Sequence, residues 1–321
     1  MKPLIILTFS AFVLSCCNDD DGQPAEKLVF SICPVDTSAI GEASPLGNIN
    51  PPGHTLPSDH IGFYLKGDAP VPVYSMAGGT IRSVFYNEWS DDNRIEINHS
   101  EQYMFYLDHI SNLPSTVVTG KKLETGDLLG YALPEHGAFD IGLMNKKINH
   151  HFIIPERYHE LTLYHDDPYL YFTDSIRAIL EVKNPRIGEP KGGKVDYDID
   201  GTLSGNWFLE GTPLVWEAAS FLYGENQLAF VYNMYNASTV MISCGGTLQG
   251  APFAYSVNGN GPDPASVTMN SGIIVYALNS YTKNSTMLVE MLEDRKIRVQ
   301  VFDFRDTSEV SSFTNARIYV R

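Results

Sequence analysis

The chain has 321 residues, which is enough for two domains with separate cores. Its 18 Tyr and 16 Phe, together with many short runs of Val, Ile and Thr, favour β-strands. The formal net charge of −16 argues against nucleic acid as a partner, because phosphate binding needs a basic face.

Residues 1–16 are predicted to be a signal peptide. Lys2 precedes the apolar stretch PLIILTFSAFVL, which is too short to span a bilayer. The segment ends in VLSC, and a small residue followed by cysteine at this point resembles the bacterial lipoprotein signal. That resemblance implies that Cys16 carries a lipid anchor, which would make a membrane the first partner. An ordinary secretory signal cleaved nearby is the alternative.

Residues 17–40 are predicted to be an acidic tether. The run NDDDG follows Cys17 directly and resembles the surface-export signal of Bacteroidota lipoproteins, although a solvated spacer has the same composition. We therefore expect an outer membrane lipoprotein, periplasmic or at the cell surface, and the acidic run favours the surface. A secreted compartment would permit a disulfide between Cys33 and Cys244, which their spacing does not establish.

Residues 41–155 are predicted to form an all-β domain, because apolar and polar residues alternate in GTIRSVFY and RIEIN between glycine-rich turns. Residues 156–193 are predicted to be a connector with a short helix over DSIRAILEVK. Asp174 is its predicted N-cap, and Pro185 lies beyond its end. Residues 194–321 return to the strand pattern and are predicted to form a second antiparallel β-sandwich or barrel.

Segments between residues 51 and 145 together resemble the LytM/lysostaphin-type zinc metalloendopeptidases. HIGFY fits the family's His-x-Gly-x-Asp strand, VPVYSMAGGTIRSV its hairpin, RIEINHS its strand ending in histidine, and YMFYLDHI its Tyr-x-His-Leu strand. VVTGKKLETGDLLGYA fits a turn-rich segment, and HGAFDIG fits the final His-x-His-Phe-Glu-Val strand. The resemblance implies the duplicated hybrid motif fold, a β-barrel or sandwich, for the first domain.

The family's catalytic zinc needs three protein ligands and an open position for water. The resemblance implies that these are the histidine and aspartate of the first motif and the second histidine of the last. His60 keeps the first place, but Tyr64 stands at the aspartate and Ala138 at the second histidine. A phenol has a pKa near 10 and is a poor zinc ligand, and alanine cannot bind metal. His109 and His136 match the family's catalytic histidines that do not bind metal, and we expect both to be inactive.

Asp140 offers a way to rebuild a metal site. Residues two apart on a strand share a face, so His136, Ala138 and Asp140 are expected to point the same way. Together with His60 and His109, Asp140 could then form a different metal or acid-base site. On this reading zinc is a possible cofactor, whereas the loss of two ligands predicts that no cofactor is bound.

The stretch PPGHTLPSDHIGFYL holds the remaining candidate residues. If the strand is already regular at Asp59, alternation places Asp59 on the face opposite His60. If the stretch is still a turn there, His54 and Asp59 are expected to bond the local backbone. In a polar cleft without metal, His54, Asp59 and Tyr64 are the candidate ligand-binding residues.

The sequence therefore predicts a lipid-anchored envelope protein with a degenerate LytM-like domain and a second β domain. The leading hypothesis is that it is not an enzyme and binds a peptidoglycan or other glycan ligand in the former cleft. The first alternative is an active metallohydrolase, similar to a peptidoglycan endopeptidase, with a rebuilt site at His60 and Asp140. The second alternative is a structural or assembly module of the envelope.

Overall fold

The computed structural model describes residues 27–222, 224–259 and 261–321. The predicted signal peptide, Cys16 and the first part of the predicted tether, up to residue 26, lie outside the described residues. None of the helices in these ranges is both long and apolar enough to cross a membrane.

The first part of the described chain forms one antiparallel sheet. Its strands are β1 (Ile40–Ser44), β2 (His60–Leu65), β3 (Val71–Tyr74), β4 (Gly79–Asn87), β5 (Asp92–Asn98), β6 (Tyr103–Ser111), β7 (Lys122–Leu123), β8 (Leu128–Ala132) and β9 (Ala138–Asn145). They pair in the order β1-β2-β9-β6-β5-β4-β7, and β8 pairs with both β3 and β6. This order places β9 between β2 and β6, so three motifs that are distant in sequence become neighbours.

The connector contains two α-helices, α1 (Glu160–Leu163) and α2 (Asp174–Lys183), among short 3-10 turns. The bounds predicted for α2 are correct, but its predicted cap is wrong. Asp174 is the first helical residue and Thr173 precedes it at the N-cap position. Helix α2 buries Leu180 against the sheet domain, which explains why a short amphipathic helix is stable there.

The second part forms a closed antiparallel barrel within the described residues. Its strands are β10 (Gly205–Leu209), β11 (Gln227–Tyr232), β12 (Val240–Cys244), β13 (Phe253–Asn258), β14 (Ile274–Asn279), β15 (Asn284–Glu293), β16 (Lys296–Asp303) and β17 (Arg317–Val320). Two single-turn helices, α3 (Trp216–Ala219) and α4 (Gly246–Gln249), lie in its loops. The all-β prediction is confirmed, and the predicted sandwich or barrel is a barrel.

Strands β10 and β11 hold the barrel against the sheet domain, because both of their faces are buried. Trp207 and Phe230 point into the barrel core. Phe208, Ala229 and Val231, at the alternate positions, belong to the core of the sheet domain instead. A strand buried on both faces carries a continuous apolar run, which is what QLAFVY in β11 shows.

The two cysteines of the described chain are free thiols. Cys244 is fully buried in the barrel core, whereas Cys33 packs against the core of the sheet domain. Burial raises the pKa of Cys33 to about 12, so this thiol is protonated and unreactive near neutral pH.

Candidate functional site

The first and last family motifs lie side by side on β2 and β9. Alternate residues of the two strands form three opposed pairs, which are His60 with Gly142, Gly62 with Asp140, and Tyr64 with Ala138. Tyr64 and Ala138, at the two changed ligand places, therefore face each other. Asp140 lies between them and His60, and its Oδ1 would be only 3.0 Å from a Cβ atom built on Gly62.

The carboxylate of Asp140 connects two histidines. Its Oδ2 is 3.4 Å from Nε2 of His60 and 3.4 Å from Nε2 of His109. Burial raises the pKa of Asp140, but the charge of His60 and the hydrogen bond from His109 outweigh it, so the net shift is downward. Burial lowers the pKa of His109, but the hydrogen bond to Asp140 and the charges of Asp140 and Asp108 raise it to about 10. At neutral pH the site therefore holds an anion facing the protonated ring of His109. Burial lowers the pKa of the His60 ring, but the charge of Asp140 and the hydrogen bond to Asp59 outweigh it, so the net shift is upward.

His109 reaches Asp140 because strand β6 contains a bulge at this point. Residues 107 and 110 of β6 pair with residues 95 and 93 of β5, so β6 has one residue more than its partner. His109 takes a left-handed conformation with φ of 65°, which is uncommon for a residue with a side chain. Its Nδ1 lies 2.6 Å from Oδ2 of the fully buried Asp92, so both ring nitrogens have carboxylate partners.

The prediction that His136 shares a strand face with Asp140 rested on strand alternation, and His136 lies just outside the strand. It ends a 3-10 turn, Pro134–His136, and Gly137 follows with φ of 93°, so the alternation of β9 begins only at Ala138. Its Nδ1 is 3.4 Å from Oδ2 of Asp92. His136 and His109 thus both lie next to Asp92. Of these two histidines, His109 is the one that also contacts Asp140.

Asp59 was predicted to face away from His60 if the strand is already regular there, and otherwise to bond the local backbone. The first condition is not met, and the second prediction is wrong, because its carboxylate bonds side chains. Strand β2 begins at His60, so Asp59 precedes it and is free to turn inward. Its Oδ1 accepts a hydrogen bond of 2.9 Å from the Tyr106 hydroxyl and lies 3.2 Å from Nδ1 of His60. Its Oδ2 accepts a bond of 2.5 Å from the Thr162 hydroxyl of the connector. Asp59 therefore holds His60, β6 and the connector together.

A glycine makes room for the Tyr106 ring. A Cβ atom built on Gly142 would lie 2.0 Å from Cε1 of Tyr106, so only glycine lets this ring cross strand β9. On its other side, the Arg94 guanidinium lies 4.5 Å from the ring centroid and donates to Oδ2 of Asp108 at 2.8 and 2.5 Å. The ring is thus fixed between a strand and a paired cation.

His54 lies beside His60, with 5.0 Å between the ring centroids. Burial, followed by the nearby charge of His60, lowers the pKa of His54 to about 4, so this ring is neutral near pH 7. Of the predicted ligand-binding residues, His54 and Asp59 are together, whereas Tyr64 lies away from them and lines a smaller cavity of about 340 Å³.

Neither set of donors near the site forms a ready zinc site. A metal site needs several His, Cys, Asp or Glu ligand atoms close together. Within the described residues, Asp92, Asp108 and His109 form a set whose ligand atoms all lie within 4.8 Å of one another. In that set Oδ2 of Asp108 already binds the guanidinium of Arg94, and a second cation beside it would be repelled. The set of His60, Asp140 and His109 does not meet the same distance condition. A metal at either place would require these side chains to move.

A cavity of about 750 Å³ opens beside His60, between the sheet domain, the connector and the barrel. Asp59, His60 and Tyr106 form part of its wall, and Phe85 and Tyr86 at the end of β4 form another part. Its volume is within the range of small-molecule binding sites. His60 therefore has the Asp140 network on one side and a ligand-sized space on the other.

Sequence reasoning missed Tyr106, Arg94, Asp92 and Thr162. One signal was available in YMFYLDHI, where Tyr106 and Asp108 occupy alternate positions of an otherwise apolar strand. Buried polar residues on one strand face need partners, so they indicate a site. Thr162 carried no such signal, because its partner Asp59 is more than a hundred residues away in sequence.

No protein-family model and no curated protein matches the sequence. Similar solved structures include Helicobacter pylori Csd3, at 14% identity over 49% of this chain and 40% of that chain, with a TM-score of 0.30. A zinc-containing peptidase from Vibrio cholerae is similar at 20% identity over 37% of this chain and 38% of that chain, with a TM-score of 0.30. The catalytic domain of the antimicrobial peptidase lysostaphin from Staphylococcus simulans is similar at 13% identity over 35% of this chain and 86% of that chain, with a TM-score of 0.27.

The chain thus covers less than half of the first two of these proteins. The structural neighbours are peptidase domains of the LytM type at low identity. A TM-score near 0.3 is too low to assign an activity, so the chemistry has to be judged from the residues of the site.

We predict that Gly142→Ala destabilises the sheet domain. The new methyl group would force the Tyr106 ring off β9 and break its bond to Asp59, and such overpacking costs about 1–3 kcal/mol. Urea denaturation followed by near-UV circular dichroism measures the free energy of unfolding. Gly53→Ala is the control, because its Cβ would be 3.7 Å from the nearest atom, the Asn50 carbonyl oxygen. Equal stability of Gly142→Ala and wild type would contradict the packing described for Tyr106.

We also predict that His109 titrates far above an ordinary histidine. Proton NMR of its imidazole should give a midpoint near the pKa of about 10, and Asp140→Asn should lower that midpoint. A midpoint near 6.5 in both proteins would contradict the ion pair.

The raised pKa of His109 has a consequence for stability. Its folded pKa is above the unfolded value, so its stabilising effect is complete below about pH 6.5 and is lost as pH rises towards 10. The stability difference between wild type and His109→Gln should therefore shrink over that range.

Proposed function

We propose that the protein is a non-catalytic, lipid-anchored envelope protein in which a degenerate LytM-like domain binds a cell-wall or other glycan ligand. The observation that carries this proposal is the position of Asp140, 3.4 Å from Nε2 of both His60 and His109. Zinc binds the free electron pair of a neutral imidazole, whereas a carboxylate in this position favours a proton on each nitrogen. Zinc at the surviving histidine would therefore have to displace the proton that Asp140 favours there.

The other two ligand places support the same proposal. Tyr64 and Ala138 face each other across β2 and β9, so no carboxylate or imidazole replaces the lost ligands at those places. Burial, followed by the charges of Asp140 and Glu42, raises the pKa of the Tyr64 phenol and makes it a still weaker metal ligand. The cavity beside His60 provides the space for a ligand.

The competing function is a metallohydrolase with a rebuilt site. It is favoured by the closeness of the donor atoms of Asp92, Asp108 and His109, which lie within 4.8 Å of one another. It requires Asp108 to exchange the Arg94 guanidinium for a metal ion. Zinc bound there would supply a Lewis acid for hydrolysis of a cell-wall peptide bond.

We predict that restoring the family's ligands creates a zinc site. Purified wild-type protein should hold well below one zinc per chain and should not cleave cross-linked peptidoglycan. Tyr64→Asp/Ala138→His should bind close to one zinc per chain, because the substitutions put a carboxylate and an imidazole opposite each other at the two changed ligand places. Inductively coupled plasma mass spectrometry after dialysis measures the metal.

The control for this experiment is Tyr64→Asn/Ala138→Gln, which introduces polar side chains of similar size without a carboxylate or an imidazole. Stoichiometric zinc in the wild type that disappears in His60→Ala, together with peptidoglycan cleavage, would overturn the proposal in favour of the hydrolase.

The lipid anchor is a separate part of the proposal and rests on the sequence VLSC. We predict that the wild-type chain fractionates with the outer membrane and incorporates labelled fatty acid, whereas Cys16→Ser does neither. Replacing the acidic run NDDDG by neutral residues should keep the lipid but reduce exposure to external protease. Release of the wild-type chain without fatty acid would contradict the anchor.

A further inference from the structure

Arg157 is a buried cation without a carboxylate partner. It lies in the connector, is 4% exposed, and lines the cavity beside His60. Its Nη1 donates to the carbonyl oxygens of Thr212 and Pro213 at 3.3 and 3.2 Å. Its Nε has no hydrogen-bond partner, and no carboxylate of the described residues lies within 4.0 Å of it. A buried charge is costly unless it is paired, so Arg157 lacks an anion.

Arg186 shows that burial alone does not leave an arginine Nε without a hydrogen-bond partner. It is also 4% exposed, but its Nε donates to the Pro190 carbonyl at 2.7 Å and its Nη1 donates to two further carbonyls. It lines none of the cavities described above. Arg186 is a clamp between two loops, whereas Arg157 faces a ligand-sized space.

The other charges inside the cavity wall have partners, whereas Glu88, an exposed carboxylate just after β4, has no ion-pair partner among the described residues. Arg94 is paired with Asp108. Asp59 is bonded by Tyr106, His60 and Thr162. Glu96 accepts from Ser83 and lies 3.7 Å from Arg82. Among the described residues of the wall, Arg157 is therefore the arginine whose charge is not balanced inside the site.

The rest of the wall is suited to a sugar. Phe85 and Tyr86 are 53% and 59% exposed, although large aromatic side chains are usually buried, and Trp216 contributes a third ring. Flat aromatic rings pack against the C–H faces of sugar rings. Asn206 and Gln227 are buried, and the Oδ1 of one and the Oε1 of the other have no donor within the described chain.

We propose that this cavity binds an acidic oligosaccharide, with a sugar carboxylate paired to Arg157 and sugar rings packed on Phe85, Tyr86 and Trp216. This inference rests on the proposed binding function and adds the chemical class of the ligand. The carboxylate supplies the anion that Arg157 lacks, and the sugar rings cover the exposed aromatic rings. A peptide would supply a carboxylate too, but it has far fewer hydroxyl donors and fewer flat apolar faces.

The test is isothermal titration calorimetry of the full-length chain in detergent with two matched ligand pairs. Tetragalacturonic acid is compared with its methyl ester, and N-acetylmuramic acid with N-acetylglucosamine. Each pair differs in a carboxylate, and a charge-assisted pair to arginine should make the acid bind about 10- to 100-fold more tightly. Arg157→Gln should abolish that preference, whereas Arg157→Lys should keep part of it.

Two further variants separate the role of Arg157 from general effects. Arg317→Gln removes the same charge from an exposed position of β17 and should leave the preference intact. Phe85→Ala removes an exposed ring, so it should fold normally and weaken both members of each pair alike. This second variant keeps the inference testable if Arg157→Gln does not fold, as thermal unfolding would reveal.

Several outcomes would overturn the inference. These are equal binding of the acid and neutral ligands by the wild type, no binding of either pair, or a preference that survives in Arg157→Gln. Arg157-dependent binding of a free-carboxylate peptide in place of the sugars would assign the cavity to peptides. Failure of the proposed function is seen separately, as zinc-dependent cleavage of peptidoglycan.

Discussion

The ion pairs of Asp140 determine what the rest of the site can do. A carboxylate with little exposure to solvent is stable only with partners, and Asp140 finds them in His60 and His109 at 3.4 Å each. Both histidines then orient towards an anion, whereas in a zinc site they would orient towards a cation. Zinc binds unprotonated ring nitrogens, so it would have to displace the protons that Asp140 favours on them. Tyr64 and Ala138 supply neither a carboxylate nor an imidazole beside this network.

The network extends from Asp140 in two directions, which connect different parts of the fold. On one side His109 also bonds Asp92, and its backbone adopts a strained left-handed conformation at the bulge of β6. On the other side His60 contacts Asp59, which ties the connector to the sheet through Thr162. The site therefore couples strands β2, β5, β6 and β9 with the connector. These contacts fix the shape of the cavity wall at His60 and Asp59.

The predictions for the interior of regular elements were accurate, such as the all-β class and the bounds of α2. The facing of Tyr64 and Ala138 could be expected, because both lie within regular strands that pair in register. The errors lie at strand ends, where periodicity gives no information. His136 departs because Gly137 breaks the strand, and Asp59 turns inward because β2 has not yet begun. Contacts such as Tyr106 with Gly142 depend on strand order across the sheet, which one sequence does not specify.

The barrel explains why a cavity lies beside His60. Strands β10 and β11 are buried on both faces, so the barrel is fixed against the sheet domain and not loosely tethered to it. The connector between them brings Arg157 into the gap, and the barrel supplies Asn206, Gln227 and Trp216 to the same wall. Neither domain alone contains these four groups together. A ligand that pairs with Arg157 would therefore contact both domains, and its binding energy would depend on the rigid junction that β10 and β11 provide.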